Sequence, residues 1–290
     1  AKPYKMDEAM TSEKEVNLSF EFFPPKTDAG QEKLKTVRAE LNKLNPDFFS
    51  VTYGASGSTR DNTKGIIKAM RNEGLSVAPH LSFGGDHEET LYEMVDEYKN
   101  CGVNRIVALR GDMPSGMGAA MQMVYANELV AFIREKFGDH FHLCVAAYPE
   151  IHPEANSYLQ DIRYLKGKFD AGANSAITQY FYNPDAYFYF VEQCTKEGID
   201  APIIPGIMPI TNYQNLARFS DACGAEIPRW IRKRLEDFGS NQESLQSFTT
   251  DLVTELCETL LENGAPGLHF YTMNQIEPTR NIITNLGLTD

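Results

Sequence analysis

The sequence predicts an α/β protein of the (β/α)8 class, a TIM barrel, with extra helices between strands 7 and 8. Three observations predict it. Eight short runs rich in β-branched and aromatic residues alternate with helical segments along the chain. Such alternation implies parallel strands joined by crossover helices, and eight such units can close on themselves. The length of 290 residues also suits one barrel, which typically needs ~250. Residues 1–290 are therefore expected to form a single catalytic barrel domain. A doubly wound open sheet is the competing architecture. It is weakened because no G-x-G-x-x-G follows the first strand, and the glycine cluster "GASGSTR" comes after strand 2 instead.

The strand runs, in order, are "NLSFEFFPP", "DFFSVTYG", "SVAPHLSF", "RIVALRGD", "HLCVAAYP", "SAITQYFY", "IIPGIMPI" and "GLHFYTMN", most of them ending near Gly, Pro or Asn. Between them, apolar residues at helical spacing predict helices over Gln31–Leu44, Thr63–Glu73, Glu88–Cys101, Asn127–Phe137, Ser157–Ala171, Ala186–Gly198 and Tyr213–Ala222. Gly74, Gly102, Gly172 and Gly198 fall where helices should stop. Gly224–Glu262 holds more than one helix's worth of residues, including "IPRWIRKRLEDF" and "LQSFTTDLVTELCETLLENG", and is read as extra helices before the last strand.

A net charge of −13 with no basic block argues against a nucleic-acid or anionic-membrane surface and for a small-molecule partner. No apolar run approaches the ~20 residues of a membrane span, and the first residues lack a signal-peptide core, so a cytoplasmic protein is expected. Cys101, Cys144, Cys194, Cys223 and Cys257 are widely spaced and make neither a C-x-x-C pair nor a Cys/His cluster. Buried free thiols are expected, with no disulfide framework and no metal site.

The loops after the C-terminal ends of barrel strands build the active site, and the unusual polar residues cluster there: Glu21 on strand 1, Thr52 and Tyr53 on 2, His80 on 3, Arg110 and Asp112 on 4, Tyr148 and His152 on 5, Gln179 on 6 and Asn274 on 8. Strand alternation puts Leu18, Phe20 and Phe22 on one face and Ser19, Glu21 and Phe23 on the other, so Glu21 should enter the barrel mouth. Phenylalanine neighbours would leave its carboxyl poorly solvated and raise its pKa, as suits a general acid. A structural carboxylate, paired with an arginine or capping a loop, is an equal reading. Arg110 and Asp112 flank Gly111, where the backbone can approach a ligand closely, yet such a pair also simply braces a loop. His80 and His152 carry the ordinary alternative of a satisfied structural histidine. No H-E-x-x-H, nucleophile elbow or P-loop is present.

Together, "FEFFPPK", "FFSVTYGA", "APHL", "IVALRGD", "VAAYPEIHPEA", "DAGANSAITQYFY", "IIPGIMPI" and "HFYTMN" closely resemble the bacterial type of methylenetetrahydrofolate reductase, in order, from about Val16 to Gly287. The resemblance implies a (β/α)8 barrel that holds FAD noncovalently and reduces methylenetetrahydrofolate to methyltetrahydrofolate with NADH or NADPH. It implies ping-pong hydride transfer at one flavin face, without a separate Rossmann domain, supplying methyl groups for methionine synthesis. A homo-oligomer is also expected. The C-terminal regulatory domain of eukaryotic relatives is not, nor is inhibition by S-adenosylmethionine through it. Glu21 matches the family's general acid, which protonates the bridging nitrogen and opens the five-membered ring to an iminium. Asp112 matches the carboxylate beside the flavin's pyrimidine edge and the pterin. Gln179 matches a pterin-contacting amide, Phe219 an aromatic that stacks on substrate or nicotinamide, and Tyr187 another substrate contact. Thr52, Ala55, His80, Arg110, Gly111, Tyr125, Ala126, Tyr148, His152, Ala155, Asp161 and Lys168 match FAD-contact positions.

The chain departs from the family pattern in places. "FYTMNQ" puts Gln275 where relatives commonly have a folate-contacting arginine, "LKGK" puts Gly167 before Lys168 where relatives show a basic pair, and Tyr164 occupies another FAD-contact position. "MPSGMGAAMQM" after Asp112 is a Met-rich loop, longer than usual. Two other functions compete: a different FAD barrel oxidoreductase of the proline-dehydrogenase kind, and a pterin-binding or complex-forming subunit without turnover.

Overall fold

A computed structural model of the chain describes residues 16–52, 57–82, 87–110, 125–150 and 157–289. Its elements follow the alternating pattern: β1 (Asn17–Phe22), α1 (Asp28–Asn42), β2 (Phe48–Val51), α2 (Gly57–Asn72), β3 (Val77–Leu81), α3 (Glu88–Asn100), β4 (Arg105–Ala108), α4 (Ala126–Phe137), β5 (His142–Ala147), α5 (Tyr158–Asp170), β6 (Ser175–Thr178) and α6 (Pro184–Lys196). Then come β7 (Ile203–Ile204), β8 (Gly206–Ile207), α7 (Tyr213–Cys223), α8 (Arg229–Phe238), α9 (Gln242–Glu262), β9 (Gly267–Tyr271) and α10 (Glu277–Asn285). Glycines 74, 102, 172 and 198 follow α2, α3, α5 and α6 with φ between 81° and 124°, as the helix stops require. The two extra helices before the last strand are α8 and α9. Helix α10, which the spacing left unassigned, follows that strand.

All strand pairs are parallel, in the order β7-β6-β5-β4-β3-β2-β1-β9-β8. The two ends of this sheet are separated in the chain by Pro205 alone. β7 pairs with β6 and β8 with β9, so the seventh strand of the barrel is one run broken where proline cannot donate to a ladder. The ring thus closes, and nine short strands make eight staves. Gly206 sits at this seam under steric demand. A Cβ there would lie 2.2 Å from Thr178 O and 2.6 Å from the Tyr271 ring.

Period-2 alternation divides the apolar residues into two cores. Leu18, Phe20, Phe22, Phe49, Val51, Leu268 and Phe270 point outward and pack with helix residues such as Leu34, Val37 and Ile283. Phe20 touches Phe49 and Phe270 at 6.0 Å between centroids, and Phe22 stacks on Phe49 at 5.3 Å. The inward core is much smaller, built from Phe48, Ala78, Val107, Cys144 and Ile177. Polar residues fill the rest of the interior, which is why the strands read as interrupted apolar runs. All five cysteines are free thiols. Cys144, Cys194 and Cys257 are buried, whereas Cys101 and Cys223 are partly exposed, against the expectation of five buried ones.

Candidate functional site

Glu21 lies one residue before the C-terminal end of β1, in register with Ser50 on β2 and Tyr271 on β9. Alternation turns its side chain inward as expected, with 17% of it exposed. Ser50 Oγ donates to Glu21 Oε1 at 3.2 Å. His80 Nε2 on β3 is 2.9 Å from the same oxygen, an ion-pair distance without hydrogen-bond alignment. His269 Nε2 on β9 is 3.5 Å from it. Among the described residues all of these contacts fall on Oε1, which leaves Oε2 for a ligand. The Glu21 backbone is tied down separately, because Thr272 Oγ1 donates to Glu21 O at 2.6 Å.

His269 is fully buried and held from both sides. Its Nδ1 is 2.7 Å from Ser19 Oγ, its ring stacks on Phe48 at 5.9 Å, and Tyr271 meets it edge-on at 5.3 Å. Burial by itself would raise the Glu21 pKa. The charge of His80 and the contacts of His269 outweigh that effect and hold the carboxyl well below the usual carboxylate range. The raised pKa expected from the sequence is therefore corrected. Phe20 and Phe22 lie on the other face of the strand, and the groups that face the carboxyl are imidazoles. Spacing alone did not single out His269, Ser50 or Tyr271. The signal was there in the alternation of "GLHFY", which puts His269 and Tyr271 on the inward face beside Ser19 and Glu21.

Around this centre the mouth is partly aromatic. Phe23, Phe219 and Tyr125 are exposed, and Tyr125 precedes α4 with Arg110 over its ring at 5.2 Å. Lys168 on α5 turns its ammonium inward to Ala146 O at 2.9 Å and over the Tyr148 ring at 5.7 Å. Burial pushes its pKa down to about 8, with Asp161 opposing. Two tyrosine faces with two cations beside β4 and β5 are a donor set that fits a ligand both aromatic and anionic, as a flavin dinucleotide is. Ala126 is buried at the start of α4, and Thr52 follows β2 with its carbonyl accepting from Thr63 Oγ1 at 2.9 Å.

A narrow crevice of about 10 Å³, room for about one water, lies beside the β5 and β6 ends, lined in part by Tyr148, Glu150, Gln179, Tyr180 and Cys223. Gln179 Oε1 accepts from Tyr180 N at 3.1 Å, leaving its amide nitrogen for other contacts. Glu150, which the sequence did not single out, accepts from Glu226 N at 3.0 Å, and burial pushes its carboxyl up to about 7. Tyr187 sits elsewhere. It is buried against Phe181, with its hydroxyl committed to Ile203 O at 2.6 Å. Asp161 is buried in the first turn of α5, and Gln275 is exposed just beyond β9. Ala55, Gly111, Asp112, His152 and Ala155 lie outside the described residues. Among the described residues no group of three His, Cys, Asp or Glu is arranged to hold a metal, and no helix is long and apolar enough to cross a membrane.

The family model described as methylenetetrahydrofolate reductase matches residues 5–287. The chain belongs to that family. Its relatives include the 5,10-methylenetetrahydrofolate reductase of Escherichia coli K12, 39% identical over 275 residues that cover 94% of this chain and 92% of the relative. Methylenetetrahydrofolate reductase (NADH) 1 of Arabidopsis thaliana is 37% identical over 97% of this chain, which spans half of that longer protein. Among solved structures, an uncharacterised Clostridium thermocellum protein that binds two copies of 5-methyl-5,6,7,8-tetrahydrofolic acid superposes with a TM-score of 0.65 over 98% of this chain and 96% of that one, at 18% identity. That likeness bears on the fold, and it agrees with the closed barrel. Methylenetetrahydrofolate reductases catalyse reduction of methylenetetrahydrofolate to methyltetrahydrofolate.

Proposed function

We propose that the protein reduces methylenetetrahydrofolate to methyltetrahydrofolate as an FAD enzyme, with NADH or NADPH as reductant and ping-pong exchange of the two substrates at one site. We further propose a single barrel domain, a homo-oligomeric cytoplasmic protein, and a role in supplying methyl groups for methionine synthesis, with neither nucleic acid nor membrane as partner. The observation that carries the reading is Glu21, inward-facing at the centre of the mouth, with one carboxyl oxygen held by Ser50, His80 and His269 and the other left for a ligand.

When bound, FAD supplies the hydride carrier between the nicotinamide and the folate's methylene carbon. The chain's own residues bind, orient and move the proton. Thr52, His80, Arg110, Tyr125, Ala126, Tyr148, Asp161 and Lys168 form the cofactor side, together with Ala55, Gly111, His152 and Ala155. The Arg110 and Lys168 cations suit a diphosphate, and Tyr125 and Tyr148 offer ring faces. Gln179, Phe219 and Gln275 form the folate side, where Gln179 presents an amide to the pterin and Phe219 an exposed ring for stacking, while Tyr187, buried with its hydroxyl on Ile203 O, is not given a direct folate contact. Glu21 delivers a proton from its carboxyl to the bridging nitrogen, which opens the ring to the iminium that accepts hydride. Asp112 supplies negative charge beside that cation.

The purified protein should be yellow, bleach with NADH or NADPH, and recolour on adding methylenetetrahydrofolate. Glu21→Gln should abolish the recolouring and leave the bleaching largely intact. A colourless protein that cannot be reconstituted with FAD would falsify the reading. Equal loss of both half-reactions would remove Glu21 from the acid role. Bleaching by proline without folate would point to the other barrel flavoenzyme.

A further inference from the structure

Helix α7 carries Phe219, the exposed ring of the folate side, on a thin attachment. Of its 11 residues, Leu216 and Ser220 are the two that are buried. Ser220 Oγ lies 2.7 Å from the hydroxyl of Tyr180, and both residues are buried. Cys223 Sγ, three residues further along the same helix face, donates weakly to that hydroxyl at 3.8 Å. Contacts at two positions one turn apart fix how the helix is rotated about its axis. Successive helical residues turn by about 100°, so holding Ser220 against the barrel directs Phe219 away from it. That is why a ring beside a buried serine is 44% exposed.

The same tyrosine acts on the opposite wall. Tyr180 directly follows Gln179 past the end of β6, and its backbone N–H donates to Gln179 Oε1 at 3.1 Å. That bond occupies the amide oxygen and leaves the amide nitrogen as a donor. One residue thus holds the amide by its main chain and the ring-bearing helix by its side chain. Beyond α7, Glu226 N donates to Glu150 at 3.0 Å, so the segment leaving the helix is pinned to the end of β5 as well.

We propose that Tyr180 is a positioning residue for folate, its hydroxyl bond to Ser220 setting the separation and angle of the Gln179 amide and the Phe219 ring so that both meet one flat heterocycle. The inference rests on the folate side proposed above. It goes further in assigning control of pterin affinity to a buried side chain outside the contact residues.

Packing alone would not call for this hydroxyl, since phenylalanine fills the same space and a buried hydroxyl costs free energy unless it is bonded. Burial also raises the phenol's pKa, so the group keeps its hydrogen at neutral pH. Tyr182, Tyr187 and Tyr271 spend their hydroxyls on carbonyls at the barrel's own strands and strand ends, those of Met208, Ile203 and Thr178. Of these four tyrosines, Tyr180 is the one that reaches a helix, and the helix it reaches bears the stacking ring.

The test uses the FAD-loaded full chain with Tyr180→Phe, Ser220→Ala and both changes together. Each single change strands one buried hydroxyl, whereas the double variant removes both, so urea midpoints should fall in the single variants and recover in the double. The KM for methylenetetrahydrofolate should rise about 5- to 10-fold in all three, with kcat changed by less than about twofold, because the tie is absent from each. A KM that returns to the wild-type value in the double variant, or that never moves, would overturn the proposal and reduce Tyr180 to packing. Amide exchange gives an arm independent of turnover. Tyr180→Phe should speed exchange along α7 relative to α5, and unchanged exchange would overturn the tie. If the wild-type flavin is not reoxidised by methylenetetrahydrofolate, the functional reading fails and takes this inference with it. An active wild type with unchanged variants sinks the inference alone.

Discussion

Asn274 clamps the backbone of Phe23 from both sides, accepting from its N–H through Oδ1 at 3.1 Å and donating through Nδ2 to its carbonyl at 2.9 Å. The clamp joins the end of β9 to the end of β1, two residues beyond Glu21. Asn274 is buried and adopts φ of 57°, a left-handed conformation that asparagine tolerates better than most residues. Asn274→Ala should cost about 1–3 kcal/mol, read from urea unfolding, because two backbone groups lose their partner. It should also slow the folate half-reaction more than flavin reduction, since it loosens the strand that carries Glu21, the proposed acid.

Gly206 tolerates no side chain. Alanine there would drive a Cβ into Thr178 O and the Tyr271 ring, and backbone cannot yield as a flexible side chain can. Gly206→Ala should destabilise by about 3 kcal/mol or prevent folding. Gly65→Ala, in α2 with nothing within 4 Å of the added methyl, should instead stabilise by about 0.5–1 kcal/mol. Denaturant midpoints of the two variants should move in opposite directions.

Acid should find His142. Burial, then Arg105 and Arg134, push its pKa down to about 4, while its Nε2 meets Ser175 Oγ at 2.8 Å. Between about pH 4 and the unfolded value near 6.5, the unfolded chain binds the proton and the folded chain does not. Stability contributed by this residue is therefore full above about 6.5 and is lost as the pH falls toward 4. His142→Gln should flatten that part of the stability profile, seen as a smaller drop in Tm between pH 6.5 and 4 than in the wild type.

Gln275 is exposed just past β9, and on the folate side proposed above it stands where the resemblance implies an arginine. Gln275→Arg should lower KM for methylenetetrahydrofolate by about 3- to 10-fold through a charge-assisted contact to a carboxylate, with kcat nearly unchanged. A fall in kcat of the same size would mean that the position touches the transition state.

Much of this was legible in the sequence because strand alternation is a strong constraint. The eight runs, the helix stops and the inward turn of Glu21 all follow from period 2 and period 3.6 patterns. The protonation of Glu21 was not legible, because it depends on neighbours 59 and 248 residues away in the chain that only the closed ring brings together. His269 looks like one residue of an aromatic strand until its register with Ser19 is known. Tyr187 shows the opposite limit. Similarity put it on the folate side, while its burial and its bond to Ile203 O tie it to the support of β7. Glu150 escaped notice because its carboxyl pKa is raised by burial in a crevice partly lined by residues far along the chain, Cys223, Gly224 and Ala225.

The proline that interrupts the seventh stave also governs how the ring breathes. A cylinder of strands resists opening only as well as its weakest join, and here that join is two residues on either side of a position with no amide hydrogen. Amides at this seam, Gly206 N on Thr178 Oγ1 and His269 N on Pro205 O, should exchange with solvent sooner than those of the β1–β2 ladder. His269 belongs to that join. The imidazole facing Glu21 is thus mounted on the part of the ring expected to open most readily.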